Sequence, residues 1–220
     1  MIQVKDSTEI SYGLLDSSDV EDMTGLVAEV FSRFEPMAVA AGMSYAEIHK
    51  LVGLYCRQAQ DDDLTIVARE KLSDNLIGVM IAIDFANPQP PGILEVAPNF
   101  EPVGALLNEL EEKYRRENSM FPGKVMNLFM LAIAEDYTGK SIARNLVRLT
   151  LENGLKKGYE RAVTEATSKV SQHVFRQLGF VDQFQSRYAD FTYHGRHIFE
   201  TIKGSDAAIL MQRNLKNPCI

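Results

Sequence analysis

The sequence has few of the residues that build disulfide frameworks or metal sites. It contains two cysteines, Cys56 and Cys219, which lie far apart and belong to no CxxC pair or Cys/His cluster. Disulfide scaffolds and zinc sites need closely spaced cysteines and histidines, so neither is predicted and no metal is expected. Cys56 is instead expected to be a small apolar side chain on a helix face.

Long apolar runs and an excess of positive charge are also missing. No stretch approaches the roughly 18 apolar residues that span a bilayer, and residues 1–10 lack the apolar core of a signal peptide. The 30 acidic residues outnumber the 23 lysines and arginines, which gives a formal net charge of −7. A nucleic-acid binder needs a basic face, so this charge argues against one and suits a cationic small molecule. We therefore expect a cytoplasmic protein without membrane or nucleic-acid partners.

The sequence does contain enough apolar residues for a sizeable core, at 45 % of 220 residues. Alternating and helical periodicities divide it into strands and helices without internal repeats. The predicted strands are residues 10–15, 64–68, 76–85, 125–134, 162–166, 180–191 and 207–211. The predicted helices are residues 19–31, 44–59, 103–117, 140–157 and 168–178. This order predicts one α+β domain over residues 1–220, with a mixed, mostly antiparallel sheet flanked by helices.

Capping signals and prolines refine these boundaries. Residues 17–19 (SSD) offer an N-cap for the first helix, and Ser44 with Glu47 forms a capping box for the second. Residues 32–43 are predicted to be a loop. Residues 86–102 contain prolines that remove backbone donors, so they form a long connection on the substrate side. The helix at 140–157 should bury Ala143, Leu146, Val147, Thr150, Leu151 and Leu155.

A glycine turn follows the apolar strand at 125–134. Its Gly139-Lys140-Ser141 looks like the end of a nucleotide-binding P-loop, GxxxxGK[ST]. The first glycine of that motif would be Ala134, and two carboxylates would lie beside the phosphates, which disfavours a nucleoside triphosphate. The alternative uses the same physics, because a strand that turns at a glycine into a helix aims free backbone N–H groups at one point and can bind a pyrophosphate.

The side chains around this turn suit a close approach to phosphate. Gly139 gives the backbone room, and Ser141 and Ala143 are small. Lys140, Arg144 and Arg148 form a basic row along the helix. A solvated helix face is the other interpretation of that row.

The order strand, TGKSIA turn, helix, strand, then SKVSQHVFRQLGF resembles the GNAT acetyltransferase superfamily. The resemblance implies a phosphate loop that cradles the pyrophosphate of acetyl-CoA, followed by a motif that packs along the pantetheine. The turn departs from the family pattern, with Thr138 where arginine is common and Ser141 at a usual glycine. The residues expected to bind acetyl-CoA, as co-substrate, are Leu131, Ala132, Ile133, Thr138, Gly139, Lys140, Ser141, Ile142, Ala143, Arg144, Ser168 and Phe175.

A narrower resemblance covers most of the chain. The FEPM segment at 34–37, the proline-rich connection, EATSKVSQHVFRQLGF and QSRYADFTYHG are similar to insect-type arylalkylamine N-acetyltransferases, which share their layout with dopamine and polyamine acetyltransferases. This similarity implies that Glu35 is the general base and that Thr167, Ser168 and Ser171 contribute hydroxyls. An ordinary glutamate placed by the geometry of Pro36 remains the alternative for Glu35.

The chemistry of acyl transfer explains why such residues are needed. A protonated amine cannot attack a thioester until a base removes a proton, and the apolar surroundings of Glu35 would raise its pKa by desolvation. Backbone amides of Leu131 to Ile133 could stabilise the tetrahedral oxyanion. Many members of the superfamily protonate the leaving thiolate with a tyrosine. Phe175 stands there and cannot donate a proton, so Ser171 is the best hydroxyl, unless it only caps its helix. His173 is a weaker candidate for the same role.

These features predict direct transfer of an acetyl group from acetyl-CoA to a primary amine of a small molecule in a ternary complex. Four aromatic or imidazole side chains near the end of the chain could line the amine pocket: Tyr188, Tyr193, His194 and His197. Two alternatives stay open. One is a catalytically silent acyl-CoA sensor or scaffold, suggested by Thr138, Ser141 and Phe175, and the other is a peptide or protein N-acetyltransferase. A homodimer also stays open.

Overall fold

A computed structural model describes residues 10–216, so the predicted features at residues 1–9 and at Cys219 lie outside it. Within the described range one seven-stranded sheet is covered by helices on both faces. The strands are β1 Ile10–Leu14, β2 Ile66–Glu70, β3 Leu76–Asp84, β4 Lys124–Ile133, β5 Tyr159–Ala166, β6 Val181–Arg187 and β7 Ala207–Asn214. The α-helices are α1 Val20–Phe34, α2 Pro36–Ala40, α3 Tyr45–Asp62, α4 Ile93–Val96, α5 Glu101–Glu117, α6 Ile142–Lys156 and α7 Lys169–Gln177.

The strands follow the order β1-β2-β3-β4-β5-β7-β6. Only the β4–β5 pair is parallel in the described sheet, and the other neighbours are antiparallel. The predicted α+β fold with a mixed, mostly antiparallel sheet is therefore confirmed. A parallel pair needs a long crossover, and α6 supplies it between β4 and β5.

Two hydrophobic cores lie on opposite faces of the sheet. One packs α1, α2, α3 and α5 against the sheet, and the other packs α6 and α7. The central strands are covered on both sides, which explains their nearly continuous apolar sequence. In β3 every residue except the first and last is buried. Cys56 is 6 % exposed and belongs to the first core, as expected of a small apolar side chain.

The capping box predicted for α3 is confirmed. The backbone N–H of Glu47 donates to Oγ of Ser44 at 3.2 Å, and the N–H of Ser44 donates to Oε2 of Glu47 at 2.9 Å. The N-cap of α1 is Asp19, within the predicted segment, although its side chain makes no capping hydrogen bond. A short 3-10 turn at Ser17–Asp19 precedes α1, and Oδ1 of Asp16 caps that turn by accepting from the N–H of Ser18.

The segment 32–43, predicted to be a loop, is mostly helical. Helix α1 runs on to Phe34, and α2 begins immediately at Pro36. Proline at the first helical position loses no intrahelical hydrogen bond, and Glu35 serves as the N-cap. The prediction of a loop was therefore wrong, because this proline starts a new helix.

Two further boundaries differ from the prediction. Helix α6 begins at Ile142, and Leu155 is 46 % exposed although it was expected to be buried. Ile142 and Gly154 lie on the buried face instead. The strand predicted to reach residue 191 ends at Arg187, where the backbone turns away through Tyr188, whose N–H donates to the Asp206 carbonyl at 3.0 Å. Among residues 10–216, no helix is both long and apolar enough to cross a bilayer.

Candidate active site

A cleft opens where the two parallel strands separate. The β4–β5 ladder pairs residues only as far as Asn127 and Val163, although β4 continues to Ile133. At the end of the ladder the hydroxyl of Thr164 donates to the carbonyl of Leu128 at 2.9 Å. Beyond that point the backbone groups of β4 that face β5 have no strand beside them.

The register of β4 decides which amides face this cleft. The N–H of Ala134 donates to the carbonyl of Ile77 on the β3 side at 2.9 Å. Since N–H directions alternate along a strand, the amide of Ala132 also faces β3, and those of Leu131 and Ile133 face the cleft. Of the three predicted amide donors, the structure thus turns two toward the cleft and engages the third in the sheet.

The glycine turn between β4 and α6 leaves several amides at a helix N-terminus. Gly139 has φ +76° and Ser141 has φ 61°, so both lie in the left-handed region. The first hydrogen bond of α6 runs from the N–H of Asn145 to the carbonyl of Ser141 at 3.1 Å. The amides of residues 142–144 precede that bond and are not used by the helix. With the positive end of the helix dipole they make this turn suitable for an anion.

The basic side chains beside the turn are exposed but not equivalent. Nζ of Lys140 lies 4.6 Å from the centre of the Tyr137 ring. Arg144 donates to the side-chain oxygen of Gln177. Arg148 is ion-paired with Glu152 at 2.6 Å, so it behaves as part of a solvated helix face.

Glu35 lies at the junction of α1 and α2, on the wall of the cleft. Its Oε1 accepts a hydrogen bond of 2.7 Å from the hydroxyl of Thr167, and its Oε2 accepts one of 2.5 Å from the N–H of Ala38. Burial raises the pKa of this carboxyl, and the hydrogen bonds from Thr167, Ala38 and Met37 oppose that rise. The result is a half-buried carboxylate that keeps acceptor character while its affinity for a proton is increased.

The residue that holds Glu35 is itself fixed by two donors. The carbonyl of Thr167 accepts from the hydroxyl of Tyr188 at 2.6 Å and from that of Ser205 at 3.1 Å. Tyr188 is 2 % exposed and supports Thr167. Contrary to the prediction, it does not line the cleft. Ser205 was not identified from the sequence, and no local pattern marks it.

The hydroxyls of the second motif form a capping box at the start of α7. The N–H of Ser171 donates to Oγ of Ser168 at 3.1 Å, and the hydroxyl of Ser171 donates to the Ser168 carbonyl at 2.9 Å. Both serines also line the cleft, as does Phe175, which is 3 % exposed. His173 is exposed and does not line it.

The cleft has a volume of about 1060 Å³ including its open mouth. It brings together six of the predicted residues: Glu35, Leu131, Thr167, Ser168, Ser171 and Phe175. The turn at 138–144 does not line the cleft. Three candidates for the amine pocket do not line it either: Tyr193 lines a separate cavity, and His194 and His197 are exposed. Apolar side chains make up most of its walls, among them Phe31, Ile48, Leu51 and Phe100. In the described part of the chain, no group of three or more His, Cys, Asp or Glu side chains is placed to hold a metal ion.

Comparison with known proteins gives one family and several similar folds. The family model for the acetyltransferase (GNAT) family matches residues 40–180. Arylalkylamine N-acetyltransferase 2 from Aedes aegypti superimposes with a TM-score of 0.79 at 20 % identity, over 94 % of this chain and 99 % of that one. The C-terminal condensation domain of Ebony, in complex with β-alanyl-dopamine, gives a TM-score of 0.84 at 15 % identity, over 94 % and 100 %. Drosophila melanogaster polyamine N-acetyltransferase gives 0.74 at 13 %, over 94 % and 100 %.

Proposed function

The chain belongs to the acetyltransferase (GNAT) family, whose enzymes use acetyl-CoA, and we propose that it acetylates a primary amine of a small molecule by direct attack within a ternary complex. The observation that supports this proposal most is the position of Glu35, a hydrogen-bonded carboxylate in the wall of the cleft where β4 and β5 separate. It is the group that an amine entering this cleft would need.

Glu35 acts first, as the general base. Its carboxylate removes a proton from the ammonium form of the substrate, and the freed nitrogen lone pair attacks the thioester carbon. The increased proton affinity caused by burial helps this transfer, because a base with an ordinary glutamate pKa would hold the proton too weakly. Thr167 is a positioning residue, since it fixes the oxygen that receives the proton.

The thioester oxygen gains negative charge as the carbon becomes tetrahedral. The amides of Leu131 and Ile133 face the cleft and are the proposed donors to that oxygen or to the adjacent pantetheine amides. The intermediate then collapses, the carbon–sulfur bond breaks, and coenzyme A leaves as a thiolate. The new amide nitrogen loses its second proton, and the thiolate takes up one proton.

The hydroxyl of Ser171 is the proposed proton source for the thiolate, and the second proton of the amide nitrogen replaces the proton that Ser171 gives up. It now donates to the Ser168 carbonyl at 2.9 Å, so it must rotate to serve this role. A thiol has a pKa of about 8.5, so the thiolate is a tolerable leaving group and a weak acid suffices.

The glycine turn is the proposed site for the diphosphate of acetyl-CoA. The unused amides of residues 142–144, the positive end of α6 and the ammonium of Lys140 all favour a polyanion there. The turn lies immediately after β4, so a coenzyme held there would extend along the cleft toward Glu35.

The apolar lining of the cleft suits an amine with an organic body. Its aromatic and aliphatic walls resemble what an arylalkylamine needs, and two similar structures are named as acting on arylalkylamines and on polyamines. A peptide terminus would need a groove with polar partners for its backbone, whereas most of the side chains that line this cleft are apolar.

The test is release of thiol from acetyl-CoA with a panel of aliphatic diamines, monoamines and arylalkylamines, with the acetylated product identified by mass spectrometry. We expect amine-dependent thiol release and a rise in melting temperature with acetyl-CoA alone. A rise in melting temperature without thiol release from any amine would indicate the silent acyl-CoA sensor. Acetylation of peptides in preference to every small amine would indicate the peptide acetyltransferase.

A further inference from the structure

A second cavity lies behind the cleft, and one carboxylate belongs to both. Glu165 of β5 lines the cleft together with Glu35, and it also lines a cavity between α3, α5 and the sheet. Phe129 of β4 lines both spaces as well. An elongated molecule in the cleft can therefore reach from one carboxylate toward the other.

The position of Glu165 follows from the alternation of β5. It precedes Thr167, the partner of Glu35, by two residues, and successive odd-numbered side chains point to the same face of the strand. Two residues of strand span roughly 7 Å. Glu165 and the Thr167 hydroxyl that binds Glu35 are thus separated by about two residues of chain, a span that a short aliphatic chain can cover.

The second cavity holds acceptors that have no donor. Oε1 of Glu165 and Oδ1 of Asn127 are buried, and neither has a hydrogen-bond partner. Asn127 is 4 % exposed and lines this cavity. An unpaired buried acceptor costs about 1–3 kcal/mol, so two in one cavity require an explanation. A ligand with several N–H donors would satisfy both.

The charge of the cavity selects a cation. Glu111 of α5 lines the same space, and its Oε2 lies 3.4 Å from the guanidinium of Arg115. Arg115 is also engaged by the carbonyl of Phe85 at 2.6 Å and lies 3.8 Å over the ring of that residue. Asp84 and Glu112 also line this cavity, so its carboxyl groups outnumber its one guanidinium even where Glu165 is protonated.

The surroundings of Glu165 also favour a bound cation. Burial and the negative charge of Glu111 raise the pKa of the Glu165 carboxyl to about 8. The rings of Tyr55 and Phe129 lie 4.5 Å apart and border the cavity, where their faces can attract a cation. Tyr55, Glu111 and Glu165 line the same cavity, and burial and the charges of the two carboxyl groups raise the pKa of Tyr55 as well.

We propose that Glu165, Glu111 and Asn127 form a subsite for the second ammonium group of an aliphatic diamine whose other nitrogen is acetylated beside Glu35. An ammonium has three N–H donors, which matches the free oxygen of Glu165, the free oxygen of Asn127 and the carboxylate of Glu111. This inference rests on the proposed function for the chemistry at Glu35, and it names the substrate class of that site.

The kinetic test compares 1,4-diaminobutane with n-pentylamine, which places a methyl group where the diamine has its second ammonium. We expect the wild type to favour the diamine by at least about tenfold in kcat/KM, mainly through KM, because the charge is recognised in a buried site. Glu165→Gln and, independently, Glu111→Gln should each reduce that ratio by about tenfold. Glu109→Gln is the matched control on α5, since Glu109 is exposed, pairs with Lys113 and lines neither cavity.

Two kinetic results would overturn the subsite. One is a wild type that treats the diamine and n-pentylamine alike or prefers an arylalkylamine. The other is a Glu165→Gln variant that lowers kcat equally for both amines, because the carboxylate would then act on the reacting nitrogen.

Calorimetry separates this inference from the proposed function. Binding of 1,4-diaminobutane is measured in the presence of coenzyme A, which cannot transfer an acyl group. Diamine binding that weakens in Glu165→Gln supports the subsite even if no amine is ever acetylated. Thiol release with monoamines and no measurable diamine binding would refute the subsite and leave the proposed function standing.

Discussion

The hydroxyl of Thr167 donates a hydrogen bond of 2.7 Å to Oε1 of Glu35 across 132 positions of the chain. It joins the start of α2 to the segment between β5 and α7, and both residues line the cleft. Tyr188 and Ser205 in turn hold the carbonyl of Thr167. The proposed base is therefore positioned by residues from four separate parts of the sequence, and its behaviour can be tested through each of them.

Replacing Glu35 with glutamine should lower kcat by about a hundredfold or more, because general-base catalysis contributes that much and glutamine cannot accept the proton. In the wild type the rate should rise with pH as Glu35 loses its proton, and the rise should lie above the ordinary glutamate range because burial raises this pKa. The variant should lack that limb. Glu29→Gln on the exposed face of α1 is the control, and an unaltered pH profile in Glu35→Gln would remove Glu35 from the mechanism.

Thr167→Val should shift the same limb to higher pH. The hydrogen bond from Thr167 lowers the pKa of Glu35, so its removal lets desolvation raise that pKa further. Thr167→Ser keeps the hydroxyl and should restore the wild-type profile. A pH profile that stays fixed in Thr167→Val, with only kcat reduced, would contradict this role.

The glycine turn should tolerate one substitution and not another. Ser141→Gly removes a left-handed strain of about 1 kcal/mol and should leave affinity for coenzyme A intact. Gly139→Val forces a β-branched residue to φ +76° and should weaken that affinity by about tenfold or more, measured by calorimetry. Gly158→Val is the matched control, because Gly158 has φ +86° and equally open surroundings but follows the far end of α6. Equal loss of affinity in both valine variants would show that general destabilisation is the cause.

Glu165→Gln should stabilise the fold at high pH and not at low pH. Burial raises the pKa of Glu165 from 4.5 to about 8, so the folded state binds more protons than the unfolded state between these values. Stability therefore falls as pH rises through this window, and the variant escapes that loss. We expect its melting temperature to exceed that of the wild type by a few degrees at pH 9 and to match it at pH 4. The exposed Glu109→Gln should show no such pH dependence, and a lower melting temperature for Glu165→Gln at pH 9 would contradict the assignment.

Elements with strong local signals were predicted well. The capping box at Ser44 and the apolar strands β3 and β4 each depend on residues that are neighbours in the sequence. The end of α1 was not predicted, because Pro36 breaks one helix and begins another, and only the packing of α2 decides between a loop and a second helix. Leu155 fits the periodicity of α6, but no element covers it at that end of the helix.

Some features of the candidate site were also predicted from the sequence, and others were not. The turn at Gly139 and the capping serines of α7 follow from short motifs, and the role of Glu35 was inferred from resemblance. Three features were not: the contact between Thr167 and Tyr188, the orientation of the Ala132 amide toward β3, and the cavity around Glu165. Each depends on which distant segment lies beside the residue, and no spacing in the sequence contains that information.

The sequence by itself determined the order of strands and helices, the turn that can hold a phosphate and the family to which the chain is similar, because these depend on interactions within a few residues. The tertiary structure alone decided which β4 amides remain free and how strongly Glu35 and Glu165 hold a proton. Strand register and desolvation arise from atoms far apart in the chain, so they exist only once the sheet and its helices are assembled.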